Sequence, residues 1–145
     1  MLHAAPSFAS EAANQVVEEA RKSCEILAPG SSSFYGTFSF DESSITYIDL
    51  TGDGKDEEII DSSDFECSIS GLFCGSGGCN ISVIVNEEVT DFFADNWTVV
   101  DWGKHPVLLL AVHGMNCGGS GVMGCVKAVV WSHGAFRSVG MNEKR

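Results

Sequence analysis

Asp49-Leu-Thr-Gly-Asp-Gly-Lys-Asp-Glu-Glu58 decides how the rest of the chain is read, because this acidic loop lies between two β-branched runs. Ile45-Thr-Tyr-Ile-Asp-Leu50 leads in and Glu58-Ile-Ile-Asp61 leads out, and both have the composition of strands. Asp49, Thr51, Asp53 and Glu57 take the first, third, fifth and ninth positions of the loop, and Gly54 the sixth. A hard divalent cation takes about six to eight oxygen ligands, and alternate residues of a tight turn aim their side chains at one centre. The backbone carbonyl of Lys55 adds another oxygen, so the ligand set expected for calcium is Asp49, Thr51, Asp53, Lys55 and Glu57. An EF-hand is excluded, since its twelfth position calls for a Glu and its flanks for helices, whereas Ile60 stands there between strands. Gly and Asp also favour ordinary turns, yet the carboxylates of Asp49, Asp53, Asp56, Glu57 and Glu58 repel one another without a cation.

The run Asp49 to Glu57, followed by the apolar pair Ile59-Ile60, resembles the strand-loop-strand calcium repeat of FG-GAP or VCBS proteins. The resemblance implies the same five ligands, with Thr51 standing where Asp or Asn is usual and contributing a hydroxyl or a bridging water. The repeat occurs once, so the propeller that such repeats build is not implied. As a whole the chain also looks like small bacterial periplasmic proteins that join such a loop to a Phe73-Cys-Gly-Ser-Gly-Gly-Cys79 segment. That second resemblance implies a compartment and no activity.

Working outward, Ser10 to Leu27 reads as a helix. Ser10 caps it, Glu11 sits in its first turn, and Pro29-Gly30 stops it. Ala13, Val17, Ala20, Cys24 and Leu27 fall on one face, which turns Cys24 toward the core. A half-buried strand is expected from Tyr35 to Phe40, and the second half alternates strands and turns. Its strands are Ile81 to Val85, Val89 to Phe93, Trp97 to Trp102, Val107 to His113, Val126 to Trp131 and Ala135 to Val139. Hairpin-length links predict an α+β fold, with the N-terminal helix packed on an antiparallel β-sheet meander. Residues 10–145 form one domain, as the length and the 44% apolar content allow.

The cysteines Cys24, Cys67, Cys74, Cys79, Cys117 and Cys125 are even in number. Gly75, Gly77 and Gly78 let the chain double back between Cys74 and Cys79, and a Gly-rich loop does the same between Cys117 and Cys125. That leaves Cys24 for Cys67. Zinc is disfavoured because no Cys-x2-Cys pair is present and the histidines show no ligand spacing. Disulfides imply an oxidising compartment, periplasmic or secreted. Residues 1–9 read as the tail of a secretory signal peptide or a disordered leader, with Ser7 and Ala9 as the small residues of a cleavage site.

The formal charge of -12 argues against nucleic acid or an anionic membrane and for a cationic partner. No apolar run is long enough to span a bilayer. The Gly-rich segment at 71–80 lacks the Lys-Ser/Thr of a phosphate-binding loop. No catalytic constellation stands out, so the expectation is a binding or interaction module. Its partner surface is Leu72, Phe73, Met115 and Met123 beside the Gly-rich rings. Two alternatives are an inhibitor of a cationic secreted enzyme such as a lysozyme, and a periplasmic hydrolase using Asp61, Asp64 and Glu66. The sequons at Asn80 and Asn96 matter only in a eukaryotic secretory route.

Overall fold

The computed structural model describes residues 9–26, 36–69, 71–117 and 124–139, the side chains of 116, 117 and 139 excepted. In chain order these form α1 (Glu11–Glu25), β1 (Phe38–Ser39), β2 (Thr46–Ile48), β3 (Glu57–Asp61), β4 (Glu66–Cys67), β5 (Cys74–Gly75) and β6 (Gly78–Val85). Then come β7 (Glu88–Ala94), β8 (Asn96–Trp102), β9 (His105–Val112), β10 (Cys125–Ser132) and β11 (Ala135–Val139). Among the described residues there are thus one α-helix and several antiparallel sheets, and strand predominates.

The start of α1 is built as its sequence implies, and then reinforced from a distance. Ser10 Oγ accepts the Ala13 N–H at 3.1 Å. Two further N–H groups, which a helix start leaves without partners of its own, donate to carboxylates on other elements. The Ser10 N–H reaches Glu58 Oε2 at 2.9 Å, and the Ala12 N–H reaches Glu87 Oε2 at 2.8 Å. Both negative charges also complement the positive end of the helix dipole. Ala12 and Ala13 share a buried cluster with Ile45, Ile60 and Ile84, while Ala20 and Cys24 share one with Phe38. Leu27, Pro29 and Gly30 lie outside the described residues.

Ile59 and Ile60 show how the layers are arranged. Neighbours in a strand point to opposite faces. Ile60 joins the cluster that holds the helix alanines, and Ile59 joins Val83, Leu108, Leu110 and Val129. The first sheet runs β2-β3-β6-β7, with β5 pairing the start of β6, and the second runs β8-β9-β10-β11. β1 and β4 form a separate pair. The strands expected as one meander are therefore divided, and only β8 to β11 form a meander of successive neighbours. The physical reason is that β3 and β6 bury residues on both faces, Ile59 and Val83 on one and Ile60 and Ile84 on the other, so each face needs cover.

The chain passes from one sheet to the other at Ala94-Asp95-Asn96, where the Asp95 N–H donates to the Ala111 carbonyl at 2.8 Å. Gly78 lies against this crossing with φ +120, and a Cβ there would collide with the Ala94 carbonyl group. The β6–β7 hairpin turns through Asn86 and Glu87, both at positive φ (49 and 67). That pairing is the signature of a tight two-residue turn matched to strand twist. Cys24–Cys67 ties α1 to β4, and Cys74–Cys79 ties β5 to β6. Cys125 is also disulfide-bonded, and the side chain of Cys117, the partner expected for it, lies outside the described residues.

Candidate functional site

The loop between β2 and β3 brings three of the expected ligands together. Asp49, Asp53 and Glu57 each offer a carboxylate oxygen within 4.8 Å of the others. Gly52 and Gly54, at φ +82 and +85, supply the left-handed turns that fold the loop back on itself. Asp49 accepts from the Gly52 N–H at 2.7 Å through one oxygen and from the Gly54 N–H at 2.8 Å through the other. Glu57 Oε2 accepts from Leu50 N–H at 2.6 Å and Thr51 N–H at 3.2 Å, and Thr51 Oγ1 lies 3.5 Å from Glu57 Oε1. The backbone thereby orients the carboxylates inward and leaves lone pairs for a further partner.

The electrostatics of the three carboxylates diverge. Backbone donors, first that of Gly54, hold Asp49 below the usual carboxylate range. Glu57 is only 6% exposed. Burial pushes its carboxyl up, and the charges of Asp53 and Asp49 add to the shift against the hydrogen bonds of Leu50 and Thr51. A buried acid facing two others with no basic group among them is the arrangement that a divalent cation would relieve. The donor set of hard oxygens fits calcium. Lys55 is exposed, and its carbonyl makes no described contact that bears on the fifth ligand.

Asp61, Asp64 and Glu66 are not part of this group. Asp61 accepts from Trp97 Nε1 at 2.8 Å and from the Ser63 N–H at 2.9 Å. Asp64 and Glu66 line a separate cleft with Asp41 and Ser63.

Of the expected partner surface, Leu72 is 41% exposed and Met115 73%. Phe73 is half-buried, its ring 5.2 Å from that of Phe65 and 6.0 Å from that of Phe38, and it lines the same groove as Leu72. Met123 lies outside the described residues. Leu72 edges a groove of about 520 Å³ between α1 and the first sheet. Glu19 and Ala20 line its helix side, and Ser82 and Asp91 its floor. Ser82 Oγ donates to Asp91 Oδ1 at 2.6 Å, and Asn80 Nδ2 donates to the same oxygen at 3.0 Å. Among the described residues, no Lys or Arg lines the groove. Sequence reasoning missed it because its walls come from segments far apart in the chain.

No family model, curated protein or solved structure matches the chain. The chemistry of the site therefore rests on its own residues and their arrangement.

Proposed function

We propose that the protein is an exported binding module, held rigid by calcium and disulfides, which takes a cationic partner. The observation that carries this reading is the convergence of Asp49, Asp53 and Glu57 in a loop flanked by strands, as in the strand-loop-strand calcium repeats that the sequence resembles. Calcium there neutralises the buried Glu57 and locks β2 to β3, both of which support the core. Thr51 and the Lys55 carbonyl complete the ligand set. The partner seats in the groove beside Leu72, where Glu19 and Asp91 offer negative charge and the apolar wall accepts the stem of a basic side chain. An inhibitor of a basic secreted enzyme is the form of this function that the acidic groove favours.

Thermal unfolding of the oxidised protein, in calcium and then in excess chelator, tests the first step. A site filled at a hundred times its dissociation constant adds about 2.7 kcal/mol, a shift of about 5–10 °C at this size. Asp53→Ala should abolish the shift. An equal midpoint in both conditions removes the calcium reading.

A further inference from the structure

The second sheet has two faces, and only one belongs to the core. Leu108, Leu110, Val112 and Val129 point inward and are at most 4% exposed. Their neighbours point the other way. On that outer face Val100 pairs with Val107, Thr98 with Leu109, and Ala111 with Val126, so directly opposed residues are mostly apolar on strand after strand. Trp102 is 79% exposed, Val126 67% and Val100 36%. A contiguous apolar face of this kind on a small domain marks an interaction surface.

Charge indicates what covers it. Seventeen of the 20 acidic residues precede Asp95, whereas residues 96–139, which carry the second sheet, hold one acidic residue, Asp101, and three basic ones, Lys104, Lys127 and Arg137. The helix and first sheet are thus strongly acidic, and the second sheet is close to neutral. The outer-face positions just paired include no acidic residue, so a basic partner finds its complement on the other side of the molecule. We infer that this face docks against the same face of a second copy of the chain, giving a twofold homodimer.

Three arguments converge on a second copy. Arg137, opposed to Val130, is the charged residue of this face among those described, and the apolar remainder is complementary to itself, as a twofold interface requires. Stacked sheets lie about 10 Å apart, so two copies joined face to face hold their acidic first sheets about 30 Å apart. That is well beyond the Debye length of about 8 Å at physiological salt, and the net charge of each copy does not oppose contact. Four strands of about seven residues present a face of about 450 Å². Pairing two such faces removes about 900 Å² from water, the size of a weak, reversible interface, which is why a monomer–dimer equilibrium rather than a permanent dimer is expected. The groove beside α1 stays open on each outer side, so the dimer presents two grooves.

Sedimentation equilibrium of the calcium-loaded, oxidised protein over a micromolar concentration series tests the inference. The expected result is a monomer–dimer equilibrium that changes little between low and high salt. Val126→Lys and Trp102→Ser should each raise the dissociation constant about tenfold or more. Both positions are exposed in the monomer, so the unfolding midpoint of the dilute variants should match that of the wild type. A monomer at every concentration overturns the inference. So does a dimer that neither variant weakens, or one weakened instead by Leu72→Ser at the groove.

Discussion

Trp97 Nε1 donates to Asp61 Oδ2 at 2.8 Å, and this bond joins the two sheets. Trp97 belongs to β8 and Asp61 ends β3, so one side-chain contact spans the core at its edge. The indole also packs against the main apolar cluster. Asp61 is held at the same time by the Ser63 N–H, which fixes the carboxylate for the indole to meet.

Trp97→Phe keeps an aromatic ring in place and removes the donor. Hydrogen bonds to charged groups contribute about 1.5–3 kcal/mol, and partial exposure of both residues places the loss at the low end. The expected cost is about 1–2 kcal/mol, with the thermal midpoint down by about 3–6 °C. Urea unfolding of the variant measures it directly, and Asp61→Asn combined with Trp97→Phe should cost less than the two single changes added.

Glu57→Gln should change sign with calcium. In chelator the variant removes a buried charge that faces Asp53 and Asp49 and keeps an amide oxygen for the Leu50 N–H, so it is expected to match or exceed the wild type in stability. In calcium the same change removes a carboxylate of the proposed site and should lower the midpoint by several degrees. Paired melts in the two conditions read the reversal, and a loss of equal size in both would assign Glu57 a purely structural part.

Much of this architecture was legible in the sequence, and the reasons differ by element. Ser10 as a cap and the spacing of Ala13, Ala20 and Cys24 are local signals, and α1 forms as they imply. The strand boundaries of the second half followed from its turn residues, since Gly103 and Gly134 sit at positive φ between hairpin strands. The acidic loop announced its own convergence. The division into two sheets was hidden, because an apolar residue reads alike whichever layer it faces. The run Trp97-Thr-Val-Val-Asp-Trp102 did carry a signal, being apolar at both odd and even positions, and the outer face comes from it. The helix supports from Glu58 and Glu87 join residues 48 and 75 positions apart, which no local pattern encodes.

The two described disulfides should differ in what they contribute. Cys24–Cys67 closes a separation of 43 residues and Cys74–Cys79 one of five. In the chain-entropy account the first restrains the unfolded chain by about 4 kcal/mol and the second by about 2 kcal/mol. The double variant Cys24→Ala/Cys67→Ala is therefore expected to lose roughly twice the stability lost by Cys74→Ala/Cys79→Ala. Denaturant titrations of the two give the ratio, and equal losses would point to native-state packing as the source.

Gly78→Ala tests the passage between the sheets. The position requires both a positive φ and room beside Ala94 and the Asp95 nitrogen, which a Cβ would approach to 2.6 Å. Backbone strain of this kind costs about 1–3 kcal/mol, and the collision adds to it. The expected loss is about 3 kcal/mol, seen as early unfolding in urea. Gly75→Ala, with open space at its Cβ, serves as the control and should change little.

Asp64 supplies a pH signature independent of the acidic loop between β2 and β3. Partial desolvation of its carboxyl, and then the charge of Asp61, holds Asp64 above the ordinary aspartate value of 3.8. An acid whose folded pKa is raised contributes stability below its unfolded value, and that contribution is lost as pH rises through the folded value. At neutral pH the wild type has lost it, whereas Asp64→Asn never carries the charge. The variant should therefore melt above the wild type at pH 7. The difference should shrink through the carboxylate range and vanish below the ordinary aspartate value. The residue is largely exposed, so the effect is small and is read best as a difference between matched unfolding curves across a pH series. A difference that stays constant with pH would assign the gain to packing of the amide rather than to loss of the charge.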